Sequence, residues 1–99
     1  MLKIITSMSQ LNTDQLMAVY VESNRENAEE FFSDLNAEAQ TEMAERKFLD
    51  YLREDFFSQK GVFYAVWIED CAYKTALRLE PYNDGYLIEA LETAPDERR

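Results

Sequence analysis

The chain reads as one α/β domain of the α+β type, residues 1–99, in the order β-α-α-β-β-β. The expected sheet is mixed but mostly antiparallel, with helices packed on it. Three observations predict this. Apolar residues recur at helical spacing between Asn12 and Phe57. After Gly61 the period drops to two, through three short runs. Those runs are joined by Glu69-Asp70 and by Pro81-Tyr82-Asn83-Asp84-Gly85, connections short enough to make antiparallel hairpins.

Composition narrows the function. The 99 residues suffice for a buried core, and 46% are apolar, which argues against disorder. Cys71 is the single cysteine and there is no histidine, which excludes a disulfide framework and a Cys/His zinc site. No run approaches the roughly 20 apolar residues that span a bilayer, and Met1-Leu2-Lys3-Ile4-Ile5 turns polar too soon for a signal peptide. A soluble cytoplasmic protein is expected. The formal charge of -10 repels nucleic-acid phosphate and anionic lipid, so neither is an expected partner. Between Glu22 and Asp55 stand eleven acids and four bases, a net of -7 on the helical part. That is a solvated helical surface, or an acidic face for a basic partner or amine substrate.

The elements follow in order. Leu2 to Ser7 reads as the first strand, and Met8 to Leu11 as a connection. Asn12 caps the first helix, with Gln15 placed for a capping box and Leu11 and Leu16 for a hydrophobic staple. This helix should run to about Ser23. Asn24-Arg25-Glu26-Asn27 breaks the pattern, and Asn24 or Asn27 caps a second helix carrying Phe31, Phe32 and Leu35. Asn36 is a weak break. Ala37 to about Phe57 is the longest helical stretch, with Ala44, Phe48, Leu52 and Phe56 as its ridge. Val62 to Ile68 is apolar on both faces and reads as a strand covered on both sides. Tyr73 to Glu80 and then Gly85 to Thr93 complete the meander, Pro95 closing the last strand.

Few residues carry chemistry. Gly61 and Gly85 are the only glycines, so no phosphate loop lies within the chain. Cys71 sits in a turn with no base to activate it. Glu89 and Glu92 stand near the end of an otherwise apolar strand, where a carboxylate can serve as a base. Each can equally face solvent or pair with Arg78 or Lys74 across the hairpin. Tyr20, Phe31, Phe32 and Tyr51 are core residues or the lining of a substrate groove.

The element order, with Leu77-Arg78-Leu79-Glu80-Pro81 and Leu91-Glu92-Thr93-Ala94-Pro95-Asp96-Glu97-Arg98-Arg99, resembles the N-terminal half of a GNAT-type N-acetyltransferase. In that family a fourth strand ends at a proline. An arginine or glutamine three residues on then opens a glycine-containing loop at the start of a helix. Arg98 stands at that offset from Pro95, and Arg99 follows it; the loop glycines fall beyond Arg99. The resemblance implies acetyl-CoA as cofactor of the intact enzyme, with its pyrophosphate held by the loop from Arg98 and Arg99. It implies backbone pairing of the pantetheine arm along Leu91, Glu92 and Thr93. It implies a small-molecule or peptide amine as acceptor, seated between Tyr20 and Phe32, with Tyr20, Phe31 and Phe32 in contact. The usual base position of the family falls near Leu87, so Glu89 or Glu92 must replace it.

Two expectations follow for the chain itself. As an N-terminal fragment it should be inactive, with little binding of acetyl-CoA. Its last strand should expose Leu87, Leu91 or Ile88 as an open edge and drive homo-oligomerisation. The alternative is a self-sufficient acidic protein-interaction domain without catalysis.

Overall fold

Alternation along each strand decides which side chains meet the helices. The computed structural model describes residues 1–95, and β1 (Leu2–Ile5), β2 (Phe63–Glu69), β3 (Ala72–Tyr82) and β4 (Gly85–Thr93) form one sheet in the order β1-β2-β3-β4. Every adjacent pair is antiparallel, so the sheet expected to be mixed is antiparallel throughout the described residues. Three helices, α1 (Thr13–Val19), α2 (Val21–Phe31) and α3 (Ala37–Tyr51), separate β1 from β2. The class is α+β. No helix among the described residues is long and apolar enough to cross a membrane.

The buried set is one face of the sheet and the helices laid on it. Ile5, Tyr64, Val66 and Ala76 are buried, against Leu16, Val19, Tyr20, Leu52 and Phe56. Neighbouring positions point the other way. Leu2, Ile4 and Trp67 are 59%, 48% and 45% exposed. Val62 to Ile68 was expected to be covered on both sides, but only one side has helices over it. An apolar run does not itself supply a second layer.

The start of α1 is as anticipated in one half only. Asn12 Oδ1 accepts the Gln15 N–H at 3.1 Å. The reciprocal capping-box bond is not made. Gln15 Nε2 donates instead to the Cys71 carbonyl at 2.6 Å, and the Asn12 N–H donates to Tyr73 Oη at 3.0 Å. Both bonds pin the helix start to the β2–β3 hairpin.

The expected break at residues 24–27 is absent. α1 ends at Val19, earlier than Ser23, with Tyr20 as the cap it shares with α2, which begins at Val21 and runs through Asn24 and Asn27. Asn24 is buried, with its N–H on the Tyr20 carbonyl at 2.9 Å and Nδ2 3.6 Å from Met17 Sδ. Packing there overrides a weak helix preference. Asn36 does cap α3, accepting the Ala39 N–H at 2.9 Å.

α3 does not continue as a plain α-helix to Phe57. Leu52–Phe56 is a π-helical turn, closed by the Phe57 N–H on the Leu52 carbonyl at 2.9 Å. The wider turn lets consecutive rings reach one target. Phe56 and Phe57 lie 5.8 Å and 6.4 Å from the Tyr64 ring centroid.

Both hairpins turn later than expected. Asp70 and Cys71 form the first, with φ of 52° and 61°, the positive pair that a two-residue hairpin favours. Asn83 and Asp84 form the second, leaving Pro81 and Tyr82 inside β3. Pro81 is tolerated because the β2 pairing of β3 stops at Leu79. Gly61 has φ of 83°, and a Cβ there would approach Pro81 Cγ to 3.0 Å, so a larger residue is doubly excluded.

β4 contains one extra residue. Ala76 pairs with Glu92 but Arg78 pairs with Glu89, so Ala90 and Leu91 together face Leu77. Ala90 takes φ of 53°, a conformation costing an L-residue about 1–2 kcal/mol. Replacing Ala90 with glycine should therefore raise stability by about 0.5–1 kcal/mol, and replacing it with valine should lower it by at least about 1 kcal/mol. Urea midpoints at unchanged m-value measure both. A glycine variant weaker than the parent would count against the bulge.

Candidate functional site

Where the helices pass over β3 and β4 they leave a cleft of about 480 Å³, within the usual range of small-molecule sites. Its helical walls include Tyr20, Phe31 and Phe32 around α2, and Lys47, Phe48 and Tyr51 from α3. Its sheet wall is Arg78 of β3 with Ala90 and Glu92 of β4.

The bulge is what admits Glu92. On the register set by Arg78 and Glu89, an unbroken strand would place residue 92 opposite Thr75, on the bare face. The extra residue shifts it opposite Ala76, on the helix-facing side, and Leu91 turns outward to 61% exposure.

Arg78 occupies an aromatic box. Its guanidinium carbon lies 5.2 Å from the Tyr51 centroid and 5.8 Å from both Phe48 and Phe56. Its Nε is buried without a hydrogen-bond partner. Glu89 faces it across the ladder, yet the ion pair found among the described residues is the surface contact Arg53–Asp50, at 3.2 Å.

Beneath the cleft floor two hydroxyls are linked. Tyr64 Oη donates to Tyr20 Oη at 3.1 Å, and Tyr20 Oη donates to the Ala90 carbonyl at 2.6 Å. Burial pushes the Tyr20 hydroxyl far above the ordinary value of 10.0, and the neighbouring Tyr64 adds to this; Arg78 opposes it. Burial also raises Tyr64, against the Tyr20 hydrogen bond and the Arg78 charge.

The cleft thus gathers Tyr20, Phe31, Phe32, Tyr51 and Glu92 of the residues proposed from sequence. Tyr20 contributes as a core residue, only 2% exposed with its hydroxyl engaged. Glu89, Leu91 and Thr93 stand elsewhere on β4, outside the cleft lining. Arg98 and Arg99 lie outside the described residues. Sequence reasoning missed Arg78, Lys47 and Phe48 as site residues. Arg78 gave no signal, because in the sequence it falls with Lys74, Ala76 and Glu80, the polar set of the strand, while the structure turns Arg78 and Ala76 toward the helices.

Alkaline titration tests the hydroxyl pair. Below about pH 10 both states keep these tyrosines protonated; above it the unfolded chain loses protons that the fold retains. Stability should hold up to that pH and fall beyond it. Tyr20→Phe should cost about 1–3 kcal/mol at neutral pH and show a shallower alkaline fall. Ionisation of all six tyrosines near pH 10 with the fold intact, read by absorbance, would contradict the arrangement. No protein-family model, curated protein or solved structure matches this chain, and its function has to come from the chemistry of the cleft.

Proposed function

We propose that the cleft seats an amine that accepts an acetyl group from acetyl-CoA. The observation that carries this reading is the position of Glu92, immediately past the Ala90 bulge and on the same wall as an aromatic box. A carboxylate beside aromatic faces suits a cationic amine, which the rings attract and the carboxylate can deprotonate. Among the described residues β4 is bordered by a strand on one side only, so its outer edge can pair with an extended cofactor arm. Acetyl-CoA bound at that edge would supply an activated acetyl group, the C–N bond forming as the C–S bond breaks and coenzyme A leaving as its thiol with the proton the amine gives up. The chain holds the amine against Phe31, Phe32 and Phe48 and takes its proton at Glu92.

The test is product formation by the full-length gene product with acetyl-CoA and a panel of primary amines, followed by mass spectrometry. Acetylated amine is expected. Glu92→Gln should lower kcat about 10²–10³-fold, whereas Glu89→Gln should leave it nearly unchanged. Absence of product with every amine would sink the reading.

A second reading, self-association, is favoured by the bare face of the sheet. Leu2, Ile4, Trp67 and Ile88 share it by register and are exposed. These four positions carry no formal charge in a chain of -10, and Glu69, whose carboxylate accepts from Trp67 Nε1 at 3.0 Å, stands at the hairpin end of β2, so two copies can meet across the rest of the patch. Sedimentation velocity should show a concentration-dependent dimer, and Trp67→Glu with Ile88→Glu should return it to monomer. A monomer at all concentrations would exclude this.

A further inference from the structure

The charge of the cleft is the reverse of the charge of the chain. Formal charge overall is -10, yet the lining carries two cations, Lys47 and Arg78, and one carboxylate, Glu92. An anionic protein that places two cations in this cleft is suited to receive an anion there.

Arg78 is the group prepared for it. Three rings flank its guanidinium and satisfy its faces, which leaves its N–H edge for in-plane partners. One of those donors, Nε, is buried with no partner in the protein. Arg78 as a whole is half-buried in the cleft wall, so its terminal N–H groups, and not the enclosed Nε, are the edge that a carboxylate can reach. The nearest candidate in the ladder, Glu89, stands opposite Arg78 without forming an ion pair.

The position of Glu92 adds the second element. It pairs with Ala76, two residues from Arg78 along β3, which makes the two charges diagonal neighbours about 7–8 Å apart at the backbone. That spacing fits one small molecule carrying an amine and a carboxylate close together. The remaining walls, Phe31, Phe32 and Phe48, are apolar and accept a hydrocarbon or aromatic substituent.

We infer that the ligand of the cleft is an apolar amino acid, with its carboxylate on Arg78, its amine toward Glu92 and its side chain on the aromatic walls. The inference rests on the acyl-acceptor reading only for the fate of the amine; binding stands on the cleft alone. It adds to that reading a specificity residue, Arg78, and a substrate class.

Three probes of one shape decide it: L-phenylalanine, 2-phenylethylamine, which lacks the carboxylate, and 3-phenylpropanoate, which lacks the amine. Calorimetric titration of the protein should show L-phenylalanine binding at least about tenfold tighter than either analogue, the worth of one charge-assisted contact. Arg78→Met, which keeps the bulk in the box, should bring L-phenylalanine to the level of 2-phenylethylamine. Far-ultraviolet circular dichroism checks that this variant folds, and the three-probe comparison on the unmodified protein decides the matter even where it does not. Equal affinity for L-phenylalanine and 2-phenylethylamine, or no binding of L-phenylalanine at millimolar concentration, overturns the inference. Tight binding without acetylation would remove the transfer reading and keep this one. Acetylation of 2-phenylethylamine as efficient as that of L-phenylalanine would do the opposite.

Discussion

One hydrogen bond joins the helical layer to the irregular strand: Tyr20 Oη on the Ala90 carbonyl, at 2.6 Å across 70 positions of chain. Tyr20 sits at the junction of α1 and α2, its own carbonyl holding the Asn24 N–H. Its ring lies 5.0 Å from Phe48 of α3, and its hydroxyl also accepts from Tyr64 of β2. A left-handed alanine within a strand is unfavourable by about 1–2 kcal/mol, and a buried bond to its carbonyl offsets about 1 kcal/mol of that. The bond therefore does more than add stability. It fixes where β4 breaks its register, and so which side chains beyond the break face the helices.

Arg78 depends on the same framework. A guanidinium withdrawn from water is costly unless something replaces its hydration. Here the replacement is partial: three ring centroids lie 5.2–5.8 Å from it, and its charge opposes the upward push that burial gives the two tyrosine hydroxyls. The acidic surface of the helices helps from further away, since a net of -7 between Glu22 and Asp55 favours a cation beneath it. The acids that look like mere solubilising surface thus make an internal cation tolerable. The arrangement still leaves the enclosed Nε unsatisfied, so the group stays strained towards any acceptor its terminal N–H groups meet.

Much of the fold was legible in local chemistry. Asn12 and Asn36 announce helix starts because their short side chains accept the third N–H of each helix, a purely local bond. Gly61 and the period change after it announce the meander for similar reasons. What escaped was decided at long range. Asn24 reads as a breaker until Met17 and the Tyr20 carbonyl bury it inside a helix. The π turn at Leu52–Phe56 leaves no residue signature, because it exists to bring Phe56 and Phe57 onto Tyr64. Val62 to Ile68 cannot tell whether a second layer exists, since one strand's apolar residues look alike whichever side is covered.

The candidate site was half legible for a related reason. Strict alternation places Glu89 and Glu92 on opposite faces of β4, so at most one of them can share a wall with the helices. Sequence alone gives no ground for choosing, and a regular strand would choose Glu89. The extra residue at Ala90 and Leu91 puts both acids on the helix-facing side while turning Leu91 out to join Ile88 on the bare face. Glu89 then falls against Arg78 outside the cleft lining, and Glu92 falls within it. A single inserted position separates an acid-and-cation cleft on one side of the sheet from a largely apolar surface on the other. The two proposed activities, ligand binding and self-association, use residues of opposite parity and can be altered independently.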